Sequence, residues 1–481
     1  MAFRVAVTSG LLCLALCGAG ASAQETPAPA TSSVATPGAP AAAAAGPAVN
    51  AAPPAAGPAP ASAAPIPVDA NAGAPLEPKK KIAPPPPPLE TALSNDPAPT
   101  LQPDTFFATA KAAERYGQIV AAGGWPTDVA PLRPGAKGPA VAKLRQRLAF
   151  EGDLDAAEAA DGPESQAWSA DLTAAVKRFQ ARMGLRQTGL VAGATLEAMN
   201  VPASARLTQL DASAQRLAGV NFSFGDRYVV VNLPSTSVEA VENGRVVHRY
   251  VAIVGDIEHP SPEIAAHISV INLNPTWTVP TSIIKKEIIP KMQKDPGYLA
   301  RQKIRILDAS GTEVDPKTVN WASERAASYT LHQDSGAGNS LGAIRIGMPN
   351  KLAVYMHDTP SKRLFGADYR FLSHGCVRVQ GVYDYAEWLL QGTSGGPSGV
   401  WDKAALQAKV KEGAREDIKL AQPVPVIWVY LTGWSNHDGV ANFRDDVYGV
   451  DSGGEATASA QSAAPPAAPI PFRLPGSAPL Q

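Results

Sequence analysis

The chain has 481 residues, a formal net charge of −1 and 18% charged residues. That length allows more than one domain, while acidic and basic residues in near balance give no footing for a nucleic-acid partner or an anionic membrane surface. Composition also excludes a wholly packed chain, because long Ala/Pro-rich stretches cannot bury enough apolar surface to offset their conformational entropy.

Arg4, the short apolar run over residues 5–17 and the small residues Ala21-Ser22-Ala23 predict a signal peptide cut after Ala23. The run is too short to leave a membrane span behind. A lipoprotein signal acylated at Cys17 is the alternative, against which stands the bulky Leu16 where a small residue is wanted. With Cys13 and Cys17 removed, Cys376 stands alone in an exported protein and no intramolecular disulfide is possible. A single exported cysteine is more readily explained by chemistry than by architecture. Its bland reading is a buried apolar side chain, which the flanking Gly and His disfavour.

Residues 24–103 are dominated by Ala and Pro, with an uninterrupted proline run from Pro84 to Pro88, and predict a disordered, partly polyproline II tether. Order is expected to begin at Asp104. Phe106, Phe107, Ala110, Ala113 and Tyr116 recur at helical spacing until Gly123-Gly124-Trp125-Pro126 ends the pattern. A second apolar face lies at Val141, Leu144 and Leu148, a third at Leu172, Ala175, Val176 and Phe179, and a short helix follows over residues 195–199. The phrases Leu132-Arg133-Pro134-Gly135 through Leu148, and Ala175 through Phe179-Gln180 with Gly184-Leu185 and Thr188-Gly189, resemble the peptidoglycan-binding domain attached to cell-wall enzymes. The resemblance implies a helical fold over residues 104–201 and glycan strands as a partner. A helical spacer that binds nothing is the alternative.

Residues 202–226 read as a linking helix, after which the period changes. Runs at 228–233, 237–241, 246–254 and 267–273 are β-rich and separated by turn signals such as Asn243-Gly244 and Gly255-Asp256, which argues for a sheet-based domain. Another apolar run, residues 352–356, ends at His357-Asp358. Nineteen residues beyond His357 comes Cys376, within Ser373-His374-Gly375-Cys376-Val377-Arg378. A thiolate is the attacking species in cysteine chemistry, and it needs a nearby base and donors for the developing oxyanion. His357 at a strand end fits the base, and the Gly375 and Cys376 amides fit the oxyanion hole. Val382, Tyr385, Ala386 and Leu389 fit one face of a helix, and residues 424–431 read as a late strand. Residues 451–481 are again Ala/Pro/Ser-rich and are expected to be disordered.

The pattern His357-Asp358, a gap, then Ser-His-Gly-Cys-Val-Arg resembles the catalytic signature of the L,D-transpeptidases, the YkuD family. Asn274-Pro275-Thr276-Trp277, Asp295-Pro296-Gly297-Tyr298 and Ile344-Arg345-Ile346 resemble its YcbB-type branch. The resemblance implies a multidomain chain: a small all-α domain, then a mainly β catalytic domain over residues 227–450 with an α-containing lid near residues 282–327. It implies a periplasmic enzyme in which Cys376 takes the acyl group of a peptidoglycan tetrapeptide stem, releases D-alanine and passes the acyl group to an amine of another stem. His357 is then the base, with its tautomer fixed by the Asp358 main chain or, alternatively, by its carboxylate. His374 shapes the oxyanion pocket or binds substrate, with Ser373 and Gly375 beside it. Arg378 suits a substrate carboxylate, or else a structural ion pair. Tyr355 and Trp277 line the donor groove, or else are core. No metal or organic cofactor is required, and acylation by carbapenems is expected.

Three other classes compete. A cysteine peptidase or amidase needs the same Cys and His but places its cysteine first, whereas only His437 follows Cys376; an L,D-carboxypeptidase, in which water replaces the acceptor amine, is the alternative within the same chemistry. A zinc site at His357, His374 and Cys376 has too few well-spaced ligands. A non-catalytic wall-binding protein has no use for the clustered His, Gly and Cys.

Overall fold

The computed structural model describes residues 89–159, 166–436 and 439–451; the expected signal peptide, most of the expected tether, His437 and most of the expected tail lie outside them. Five helices open the described chain: α1 (Thr105–Ala121), α2 (Pro139–Glu151), α3 (Ala170–Arg182), α4 (Gly193–Met199) and α5 (Ala203–Ala218). Val141, Leu144, Leu148, Leu172, Ala175, Val176 and Phe179 are all fully buried in their common core. On α1 the buried face runs through Thr109, Ala112, Ala113 and Tyr116, while Phe107 is 71% exposed, so the aromatic pair misstates which side faces inward. Glu151 sits inside this core between Arg147 (2.5 Å) and Arg182 (2.7 Å), with the Tyr116 hydroxyl donating to it at 2.6 Å. Burial opposes its charge, but Arg182 and Arg147 more than offset that and hold it well below the ordinary carboxylate range.

The strands that follow are β1 (Arg227–Asn232), β2 (Ser237–Glu242), β3 (Arg245–Gly255) and β4 (Ile264–Leu273). An excursion then carries β5 (Trp277–Thr278), α6 (Thr281–Ile283), a π turn (Ile284–Ile288), α7 (Ile289–Lys294), α8 (Tyr298–Arg301), β6 (Ile304–Leu307), β7 (Glu313–Val314) and β8 (Thr330–Gln333). The chain returns with β9 (Ile344–Gly347), β10 (Met356–His357), β11 (Phe371–Ser373), β12 (Val377–Val379), α9 (Val382–Leu389), α10 (Lys403–Glu412) and β13 (Glu416–Val429). A hairpin, β14 (Gly433–Ser435) and β15 (Ala441–Phe443), ends it.

The large sheet runs β11-β3-β12-β10-β9-β4-β13-β1-β2, and β2 also pairs with β3, which closes eight strands into a barrel with β11 appended. Closure leaves the barrel strands without a free edge. Val229, Val231, Ile271, Ile346, Met356, Val377 and Trp428 fill one side of the sheet, together with Tyr385, Trp388 and Leu389 of α9 and Leu406 of α10. The excursion has an apolar core of its own, including Ile284, Ile288, Met292, Leu299, Ile306 and Leu331, and its strands form a separate sheet, β5-β8-β6-β7.

Two boundaries differ from the sequence expectation. Residues 89–103, expected to belong to the tether, are packed as an extended strap. The Glu90 and Thr91 amides donate to the Asp368 carboxylate, Ala92 N–H donates to the Gly184 carbonyl (2.9 Å), Thr100 bonds the buried Glu239 through both N–H and Oγ1, and Leu101 is buried. The partners are side chains and loops far away in sequence, so no local periodicity announces them. The terminal hairpin, expected within the catalytic domain, packs into the helical one. Phe443 lies 5.6 Å from Tyr116, and Arg182 donates to the Ala441 carbonyl.

Candidate active site

Strand register assembles the site. β10 and β12 are parallel neighbours, with Met356 beside Val377 and His357 beside Arg378, and Val377 N–H donates to the Tyr355 carbonyl. Side chains alternate between faces along a strand, so Met356 and Val377 share one face and Tyr355, His357, Cys376 and Arg378 the other. The first pair is fully buried in the barrel core, which turns the chemical residues outward together. β9 extends the row, because Arg345 is the register partner of His357 on one side and of Asn272 on the other. Reading across the sheet gives Asn272, Arg345, His357, Arg378 on one face.

His357 is 6% exposed. Its Nδ1 lies 2.5 Å from the Asp358 carbonyl, which fixes that nitrogen as the donor and leaves Nε2 with its lone pair. The Asp358 carboxylate is occupied elsewhere, accepting from Ala343 N–H (3.0 Å) and pairing with Lys362. Burial, then the charges of Arg378 and Arg345, push the imidazole down to about 3, against the pull of the Asp358 bond. At neutral pH it is therefore an uncharged proton acceptor.

Cys376 is half-buried and unbridged. Burial raises its thiol above the usual range, while hydrogen bonding from Tyr355 and the positive charges of Arg345 and Arg378 partly counter this. Among the described residues the thiol makes no hydrogen bond to His357; the Tyr355 ring lies edge-on to the imidazole at 5.7 Å. Catalytic hydrogen bonds are often long without substrate.

Gly375, at φ +103°, makes the sharp turn into the nucleophile, a conformation that a side chain would strain. Its N–H donates to Ser373 Oγ (3.2 Å), and Ser373 Oγ donates to the Cys376 carbonyl (2.5 Å). Ser373 is thus a brace, and of the two amides expected in the oxyanion hole only that of Cys376 carries no internal bond among the described residues. His374 points away toward the excursion. Its Nε2 is 2.9 Å from Glu287 Oε1 of the π turn, and its ring stacks on His259 at 4.5 Å. His259 in turn meets Lys286 (3.0 Å) through Nε2 and Asp256 (3.0 Å) through Nδ1. The His374 hydrogen bond, with Lys291 adding to it against burial, takes Glu287 down to about 2.

Arg378 has no carboxylate within ion-pair distance among the described residues, and its Nε is buried with no hydrogen-bond partner there. Trp277 and Tyr355 line one cleft of about 240 Å³ with Asn272, Arg345 and Arg415. The sequence reading missed Arg345, Glu287 and His259 as site residues. For Arg345 a signal existed: it alternates with Ile344 and Ile346, so it must face away from the core. No group of three or more His, Cys, Asp or Glu gathers as a metal-binding cluster among the described residues, and no helix there is long and apolar enough to cross a membrane.

Among the described residues, one face of the closed barrel presents the single free cysteine, Cys376, together with the uncharged His357. Residues 226–401 match the family described as L,D-transpeptidase catalytic domain, YkuD, and residues 137–199 match "Putative peptidoglycan binding domain". The barrel itself needs more than the matched span, since β13 lies between β4 and β1. A "Putative L,D-transpeptidase" of Haemophilus influenzae is 31% identical over 258 residues, which is 53% of this chain and 50% of the relative, so the chain spans about half the relative's length. Solved structures of L,D-transpeptidases are similar at lower identity. That from Stackebrandtia nassauensis is 14% identical (62% of this chain, 94% of that one, TM-score 0.23). The one from Mycobacterium smegmatis is also 14% identical (42% and 58%, TM-score 0.21), and LdtMt1 in complex with imipenem is 15% identical (42% and 59%, TM-score 0.20). Superpositions at these TM-scores carry no argument about this chain.

Proposed function

We propose that this chain is a periplasmic peptidoglycan L,D-transpeptidase that forms 3→3 cross-links. The observation that carries the reading is the His357 tautomer: with Nδ1 bound to the Asp358 carbonyl, the free lone pair belongs to the same sheet face as Cys376. His357 removes the thiol proton as sulfur attacks the carbonyl between the third and fourth residues of a donor tetrapeptide stem. It returns that proton to the leaving D-alanine amine. The Cys376 amide receives the oxyanion, Arg378 a substrate carboxylate, and a thioester remains. The amine of a second stem then attacks the thioester, the bond to sulfur breaks, and the thiol regains its proton. The domain at residues 137–199 holds the glycan strand nearby. Acylation of Cys376 by a carbapenem belongs to the same reading.

The test is mass spectrometry of products from disaccharide-tetrapeptide, using the chain from Leu89 onward beside its Cys376→Ala variant. Cysteine-dependent 3→3 dimers are expected. Cysteine-dependent tripeptide without dimer replaces the transpeptidase with an L,D-carboxypeptidase. A folded protein yielding neither overturns the reading.

A further inference from the structure

Two guanidiniums flank the base. Arg345 and Arg378 occupy positions on either side of His357 in one cross-strand row, where like charges in register are unfavourable. Neither has a carboxylate within ion-pair distance among the described residues, and a half-buried cation without a counter-ion costs stability unless something external supplies the charge. Arg378 is the expected carboxylate site. Arg345 has no assigned role, and its surroundings are those of a built subsite. Nη1 donates to Asn272 Oδ1 (2.9 Å), and the guanidinium lies over the Tyr355 ring at 4.4 Å, so its plane is held. It opens into the cleft of about 240 Å³ walled by Trp277 and Tyr355, with Arg415 at its rim. Arg415 is already engaged by Asp417 at 3.0 Å, and Asp417 reaches Arg345 only through Asn272, which leaves Arg345 as the cleft's cation with no carboxylate within ion-pair distance among the described residues. Tyr355 is shared by the cleft and the thiol, so a ligand in the cleft reaches the nucleophile.

We propose that Arg345 and its cleft form a second carboxylate subsite, across His357 from Arg378, so that the enzyme selects donors bearing two free carboxylates. The proposal rests on the transpeptidase reading for the identity of the donor. The carboxylate taken by Arg345 is either the C-terminal one of the leaving residue or the side-chain one of the third residue; the chemistry is the same. Docking two carboxylates there also acts on the base. The charges of Arg378 and Arg345 help to hold the imidazole in its uncharged form, and carboxylates beside them relieve that pressure and strengthen His357 as a proton acceptor when substrate is present.

The experiment is equilibrium binding to the full chain carrying Cys376→Ala, so that no turnover is needed and failure of the catalytic reading stays distinguishable. The ligands are the stem tetrapeptide L-Ala-D-Glu-diaminopimelate-D-Ala and two analogues, one amidated at the C-terminus and one at the diaminopimelate side-chain carboxylate. Arg345→Gln is expected to weaken the free peptide roughly 10- to 100-fold, the range of a lost charge-assisted hydrogen bond, and Arg345→Lys less. One amide is expected to bind the parent as weakly as it binds Arg345→Gln, with no further loss on mutation. On the other amide the two losses multiply. Losses that multiply on both analogues overturn the proposal, as do equal affinities of parent and Arg345→Gln for the free peptide, or a parent that binds none of the three. Thermal unfolding of Arg345→Gln matching the parent excludes a folding defect, and Arg345→Lys gives the same reading if the glutamine variant does not fold.

Discussion

At the scale of single residues, the environment of His357 links pH to stability with a definite sign. Its imidazole is driven down to about 3 in the folded chain, first by burial and then by Arg378 and Arg345, whereas an unfolded histidine titrates near ~6.5. Between those values the unfolded state binds a proton that the native state refuses, so stability rises with pH across that window. Acidifying from pH 6.5 to 5 is expected to remove about 2 kcal/mol on this account. His357→Gln should flatten that part of the curve, measured as urea midpoints at several pH values; an unchanged slope in the variant removes His357 as the source. That Cys376 and His357 belong to one site was legible in the sequence because Cys and His are rare residue types in a short recognisable pattern. The row they belong to was not, because it exists only in the register of β9, β10 and β12. Arg345 lies twelve residues before His357 and thirty-one before Cys376, at a distance that only strand pairing makes short. The choice between the Asp358 carbonyl and its carboxylate likewise depends on Ala343 and Lys362, which hold the carboxylate elsewhere.

At the scale of elements, the excursion between β5 and β8 touches the Cys376 loop directly through Glu287 and, by way of His259, through its neighbour Lys286. A π turn widens the helix locally, and here Lys286 reaches His259 while Glu287 reaches His374, with the two imidazoles stacked between them. These contacts fasten the excursion to the loop that carries Cys376. The Glu287–His374 pair is about one-third exposed, so it is worth only about 0.2–1 kcal/mol. Glu287→Ala is expected to speed amide hydrogen exchange over residues 284–294 up to about fivefold while leaving the barrel strands unchanged. Equal acceleration in β4 and β13 would mean that the residue supports the whole fold instead. This excursion was expected as a lid only through the resemblance, and its four short strands and separate sheet were not anticipated, since two- to four-residue strands carry no period. The same limit hid the first half of β13, where Pro423 and Pro425 break the propensity pattern and the ladder absorbs them with a register shift between Lys419 and Val424.

At the scale of the molecule, the described chain is interlocked rather than arranged as beads. The terminal hairpin completes the helical core, and the strap over residues 89–103 crosses from Gly184 and Arg186 in the helical domain to Asp368, Arg249 and Glu239 in the barrel. Composition made the strap look like more tether, because its anchors are supplied by distant partners. Removing it is expected to be costly. A chain beginning at Gln102 loses the buried Leu101, about 1.5–3 kcal/mol, and strips Glu239 of two hydrogen bonds, about 1–3 kcal/mol more. Its urea midpoint should fall well below that of a chain beginning at Leu89; equal midpoints would mean that the strap contributes nothing. The strap also gives the molecule a mechanical weak point. A pull applied at Leu89 is borne by the bonds from Arg186 to the Leu89 and Glu90 carbonyls in the helical domain and, alongside them, by the Glu90 and Thr91 clamp on Asp368, which lies on the loop between His357 and Cys376. Tension entering at Leu89 would therefore divide at once between the helical domain and the segment that joins His357 to Cys376, before it strained any barrel strand.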